Sequence, residues 1–290
     1  METEGAGVWG DSADLVRVLD VRPDGPGRYL GVPHGGGGRS VVEGSQMLGQ
    51  ALLAAGRHAP GRRPVSAWMA FVRVADGAVP LTFELDELSN GRTFTALRID
   101  VRQGDRRCAG GDVLLDVGAP DLIRHHEPAP DVAGPGDSEP YDMGVTGREV
   151  RIVDGAYTGD PDAPPGPPEL DVWVRFDEVP EDPSLQAALL AQFTGHMSIA
   201  AALRPHGGLG QDQAHRSLST AVNAISLALH ADVRADRWML YHHRSTFAGD
   251  GMTRSECRVH DEDGALLASF ALDGMVRSME RTGIDERRVL

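Results

Sequence analysis

Histidine is the side chain whose ordinary pKa, about 6.5, suits proton transfer near neutral pH. The chain has 11 of them. One, His196, lies in a long apolar run, LQAALLAQFTGHMSIAAAL, directly after Thr194 and Gly195. There it could act as general base on a water; the bland alternative is a helix histidine that only hydrogen-bonds a neighbour. Further along, Ser219, Thr220, Asn223 and Ser226 share one strand-like run. Asn223 offers an amide donor to a developing oxyanion, or is a strand residue with no role. Gln46 opens an earlier helix, where it could contact a ligand beside the helix N-terminal N–H groups, or only cap them.

Other clusters carry less chemistry. His125-His126 and His242-His243 are adjacent pairs. Neighbours on a strand point to opposite faces, so neither pair chelates. Cys108 and Cys257 are the two cysteines, form no CxxC pair and cannot hold zinc alone. The glycine run at 35–38 lacks the Lys-Ser/Thr of a phosphate loop and reads as flexible loop. No metal and no cofactor is expected.

These residues need a scaffold. With 290 residues, 41% of them hydrophobic and 24% charged, the chain can bury one large core or two smaller ones. A net charge of −15 repels nucleic acid and anionic membranes, so neither is an expected partner. A ligand bearing phosphate would need a local arginine site. No secretory signal and no membrane-spanning run is visible, and the expected location is the cytoplasm.

The spacing predicts a helix over 46–56, QMLGQALLAAG. Glycine inside a helix costs about 1 kcal/mol against alanine, so Gly49, with Gly44 just before, signals very close packing. Strand patterns follow over 65–74, 81–88, 93–103 and 107–117, with hairpin signals at 89–91 and 103–105. Residues 121–147 and 160–168 are rich in proline, glycine and acids and read as linker and loop. The order then returns: a strand at 170–177, a helix from Ser184, and strands over 216–229, 238–245, 253–260 and 265–277 with a hairpin at 261–264. Two copies of helix-then-strands indicate an internal duplication. The expected fold is α+β, a tandem (double) hotdog in which a curved antiparallel sheet wraps each long helix. The expected division is an N-terminal unit at 1–118, linker and loops at 119–169, and a C-terminal unit at 170–290.

Short motifs sharpen this. Glu43-Gly44-Ser45-Gln46 with Gly49-Gln50-Ala51-Leu52 and Ala54-Ala55 resembles the "GGQ…GQAL.AA" helix start of type II (TesB-like) acyl-CoA thioesterases. Asn90-Gly91-Arg92-Thr93-Phe94 with Arg98 resembles that family's "DG.SF..R" hairpin. Leu203 to Gly207, His230, Trp238 to Tyr241, Ala268-Ser269, Gly274 and Arg277 match in order and spacing. The likeness covers roughly 40–118 and 170–278.

The resemblance implies hydrolysis of fatty acyl-CoA by an Asp on the second helix, a Thr or Ser on a following strand and a Gln on the last strand. Carried over by motif, those positions hold Gly195, Val222 and Leu272. The polar neighbours left are Thr194, His196 and Asn223 as catalytic candidates, with Gln46, Gly195 and Ser226 as substrate-binding candidates. Two functions stay open: hydrolysis of an acyl-CoA or acyl-carrier thioester at an altered site, or binding of an acyl thioester or a related apolar ligand without hydrolysis. Beyond that ligand, the expected partners are further copies of the chain.

Overall fold

The computed structural model describes residues 11–34, 41–144, 146–157, 159–177 and 179–279. The glycine run at 35–38 lies outside the described residues, as do residues 1–10 and 280–290.

The first half comprises α1 (Ser12–Leu19), β1 (Val21–Pro23), β2 (Arg28–Gly31), β3 (Val41–Val42), α2 (Gly44–His58), β4 (Arg63–Phe71), β5 (Ala75–Asp76), β6 (Leu81–Asn90), β7 (Phe94–Gln103) and β8 (Arg106–Asp116). The second comprises β9 (Glu139–Pro140), β10 (Arg148–Ile152), β11 (Glu169–Phe176), α3 (Pro183–Phe193), α4 (Ser198–Leu203), β12 (Leu218–Leu229), β13 (Met239–Gly249), β14 (Met252–Asp261) and β15 (Leu266–Ser278).

Alternation makes the strands. In β7, Thr95, Leu97, Ile99 and Val101 point inward and are buried, while Phe94, Arg98 and their neighbours face out. Thirteen strands join in one antiparallel sheet, ordered β1-β2-β6-β7-β8-β4-β12-β15-β14-β13-β11-β10-β9. Up to β10 the order is a palindrome about the β4–β12 pair, where Ala224 faces Ala70 and Ala228 faces Ser66. Each half of the sheet wraps its own helix, and the helices lie against each other. A Cβ on Gly49 would come within 2.8 Å of the Ala188 carbonyl oxygen, which is the close packing that a glycine in α2 signals.

Three features differ from the sequence reading. The second helix is not continuous. It stops at Phe193 and restarts at Ser198, with Met197 between them at φ 68°. Gly195 weakens the helix there, and the Thr194 hydroxyl donates 2.6 Å to the Ala191 carbonyl. The 119–169 stretch, read as linker and loops, carries β9 and β10. Arg148-Glu149-Val150-Arg151-Ile152 alternates buried and half-buried residues and pairs with β11. The polar residues are the first, second and fourth, and the buried first position is an arginine, which masks the period of two. Finally, β1 and β2 escaped notice because they are three and four residues long and hold Pro23, Arg22 and Arg28.

Among the described residues no helix is long and apolar enough to cross a membrane.

Candidate active site

The break between α3 and α4 opens onto a cavity of about 480 Å³ between the two halves. One wall is the start of α2, with Glu43, Gly44, Ser45 and Met47. The second is Phe71 to Ala75, at and after the end of β4. The third is Gly195, His196 and Met197, and the fourth is Thr220 to Asn223 of β12. Val42, Ile199 and Met275 add apolar surface, and Tyr157, Gln211 and His215 add polar groups. Arg73, exposed, stands among the lining residues.

His196 reaches this cavity because the helix is broken. In a continuous helix each residue turns about 100° from the last. The left-handed Met197 instead resets the chain, and the Ser198 amide donates to the His196 carbonyl at 2.8 Å. A non-glycine residue in that region costs roughly 1–3 kcal/mol and collects at functional sites. The His196 side chain is 17% exposed. Its ring lies against Phe193, with centroids 5.0 Å apart. Burial lowers its pKa below the ordinary histidine value; Glu43 opposes that shift and Arg148 adds to it.

Charged and amide groups surround the ring. Glu43 Oε2 stands 3.6 Å from His196 Nε2. Gln192 Nε2 is 3.4 Å from each of those two atoms. Arg148 Nη1 donates to Gln192 Oε1 at 3.3 Å. Arg148 is buried, and loss of water lowers its pKa to about 10, so its guanidinium stays charged at neutral pH.

Of the residues singled out from sequence, His196, Gly195 and Asn223 line the cavity. Three others do not. Thr194 is fully buried, and its hydroxyl serves the end of α3. Gln46 is also buried, facing away from the cavity, and donates to the Val32 carbonyl at 3.1 Å. Ser226 is exposed on the outer face of the sheet, opposite Trp68. The reason is a β-bulge between Val222 and Ala224. Before it Leu218 and Thr220 face inward; after it Ile225 and Leu227 do, so the parity inverts and Ser226 turns out.

Of the three positions carried over from the family motif, Gly195 and Val222 line the cavity, and Leu272 is buried in the core. Gly195 has no space for a carboxylate, because a Cβ there would meet Ser45 Oγ at 2.5 Å.

The sequence reading names Thr220 on its strand without giving it a role, and it passes over three further residues of the site: Glu43, Gln192 and Arg148. Thr220 lines the cavity and exchanges a hydrogen bond with His215 at 3.1 Å. It lies two residues before Val222, on the same side of the bulge, which is the signal that gives it a place in the site. Glu43 was quoted only as part of a motif. Gln192 looked like another helix residue, and Arg148 lay in a stretch read as linker. Among the described residues no group of three or more His, Cys, Asp or Glu is placed to hold a metal ion.

Comparison with known proteins places this geometry. Residues 30–114 match the model of the acyl-CoA thioesterase N-terminal domain, and residues 124–276 match that of the C-terminal domain. Acyl-CoA thioesterase 2 of Haemophilus influenzae is 25% identical, over 82% of this chain and 88% of that one. The tesB protein of Mycobacterium avium subsp. paratuberculosis superposes with a TM-score of 0.77 at 24% identity, covering 91% of this chain and 99% of its own. A hotdog-fold protein from Alicyclobacillus acidocaldarius gives 0.70 at 17% identity, covering 90% and 97%. The fold is the tandem hotdog, and the chain belongs to the acyl-CoA thioesterase family, whose members are thioester hydrolases.

Proposed function

We propose that the cavity between the halves hydrolyses acyl-CoA, releasing the free acid and CoA, with His196 as general base. The observation that carries this reading is the meeting of His196, Thr220 and Asn223 in one cavity. A thioester is already activated, so a positioned water and an oxyanion donor suffice. His196 takes a proton from the water as its oxygen attacks the carbonyl carbon. The Thr220 hydroxyl and the Asn223 amide lie on the strand facing the ring and donate to the oxygen of the tetrahedral intermediate. When the C–S bond breaks, the sulfur recovers the proton from the imidazolium. Arg73 supplies a local cation for the phosphates of CoA on a chain that is otherwise strongly acidic.

Thiol release from a panel of acyl-CoAs tests this. The His196→Ala variant should lose roughly 10²–10⁴ in kcat, the usual contribution of a general base, with an unchanged circular dichroism spectrum. Full activity in that variant would remove His196 from the role. An intact protein that binds acyl-CoA and never frees thiol would turn the reading into one of binding alone.

A further inference from the structure

The family's carboxylate position is Gly195, and Ser45 fills the space a side chain would need there. Yet the cavity does hold a carboxylate. Glu43 comes from the other half of the molecule, at the N-cap of α2, where its side chain makes no capping hydrogen bond. It lines the cavity instead and brings Oε2 to 3.6 Å from His196 Nε2.

The surroundings fix how these groups face each other. Arginine only donates hydrogen bonds, so the Arg148–Gln192 contact puts the oxygen of the Gln192 amide toward Arg148. Its NH₂ must then face Glu43 and His196, the two atoms it lies 3.4 Å from. That NH₂ can donate to the carboxylate at all times, and to Nε2 only while that nitrogen carries no proton. An imidazolium carries N–H on both nitrogens, and the one on Nε2 faces Glu43. The charged groups around the ring are Glu43 from α2 and Arg148 from β10; neutral His243 of β13 lies behind it. Glu43 is the only one of these that favours a positive ring.

We propose that Glu43 is the carboxylate of this site, a positioning residue that holds the imidazolium formed when His196 takes the water proton. It acts from the opposite half of the molecule in place of the carboxylate that cannot stand at position 195. The proposal rests on the hydrolase reading above. No proton has to pass to Glu43: it balances the charge while the imidazolium exists, and the departing sulfur removes that charge.

The experiment combines kinetics with histidine ring NMR on the full chain, using wild type, Glu43→Gln and Glu43→Asp. Glu43→Gln should lower kcat for acyl-CoA by roughly 10²-fold or more, with KM little changed, and Glu43→Asp should recover part of the loss. In Glu43→Gln the His196 ring should titrate lower by about one pH unit or more, since an opposite charge at this distance normally raises a histidine by that much. A merely structural role would not move that titration. An unmoved His196 titration, or wild-type kcat in Glu43→Gln, overturns the proposal. A wild type that frees no thiol overturns the hydrolase reading and the catalytic part of the proposal together. The titration then separates that failure from a failure of the pairing itself.

Discussion

The paired helices α2 and α3 have two ends, and the palindromic sheet builds both ends from equivalent parts. At one end lie the start of α2, the break after α3, the first residues of β12 and the segment after β4. At the other lie Gly56 at the end of α2, Pro183 and Ser184 at the start of α3, Arg63 and Pro64 of β4, and residues 229–233 after β12. Both ends enclose space, about 480 and 410 Å³. The second end has arginines and acids, Arg62, Arg63, Asp116 and Asp232, and no histidine among its lining residues. Its helix start is also already satisfied, because the Asp182 carboxylate accepts the Ser184 amide at 2.9 Å and the Leu185 amide at 3.4 Å. At the first end α3 stops early, and a left-handed residue delivers His196 to the cavity. The difference teaches that the duplicated fold supplies two equivalent hollows, and that a local helix break brings a histidine into one of them.

The largest expected effect comes from trying to rebuild the family's arrangement at the broken helix. Gly195→Asp drives a Cβ to 2.5 Å from Ser45 Oγ. Overpacking of this kind costs about 1–3 kcal/mol. The variant should lose several degrees of thermal midpoint and all thiol release. Ser45→Gly in the same chain removes the obstacle and should restore the midpoint most of the way. A single variant as stable as wild type would show that the space beside Gly195 is not closed, and that its glycine has another cause.

An intermediate effect tests what lies behind the break. Ser198, the first residue of α4, exchanges a hydrogen bond at 3.1 Å with His243, which is fully buried. Burial lowers the His243 pKa to about 3, helped by the nearby His242 and His196. The folded state therefore keeps this ring neutral, while the unfolded chain protonates it below about 6.5. The stabilisation is complete above that value and is lost as pH falls toward 3. The slope is roughly 1.4 kcal/mol per pH unit, or about 2 kcal/mol by pH 5. Urea unfolding between pH 7 and 4 should show this slope reduced in His243→Phe relative to wild type. Parallel slopes would mean that His243 protonates in place.

The same contrast explains what could be read beforehand. Strands such as β7 and β15 announced themselves by alternation, and Gly104 and Gly264, both at positive φ, marked their hairpins. The repeated order then gave the tandem fold, and the motifs gave the family. The site was legible only in part, because it depends on contacts between the halves. His196 could be placed near the family's catalytic position, but its exposure to the cavity follows from Met197 adopting a left-handed backbone, which no residue type at that position requires. Ser226 shares the strand-like run with Asn223, and a single bulge turns it to the outer face. Glu43 and Arg148 meet around Gln192 from α2 and β10, elements separated by most of the first half, so no local pattern joins them.

The smallest expected effect lies at the unbroken end. Arg63 lines that hollow and reaches Asp116 only at 4.0 Å, with its own side chain 48% exposed. Exposed pairs of this sort contribute about 0–1 kcal/mol, because water screens the charges and the long side chain loses freedom on pairing. Arg63→Ala should therefore shift the thermal midpoint by no more than a degree or two. If chemistry belongs to the broken helix alone, the variant should also leave kcat and KM for acyl-CoA at wild-type values. Thiol-release kinetics on the same acyl-CoA panel give the comparison directly. A clear rise in KM would show that the second hollow also holds part of the substrate, and the contrast between the two ends would then be one of shared labour, with the arginine end binding what the histidine end cleaves.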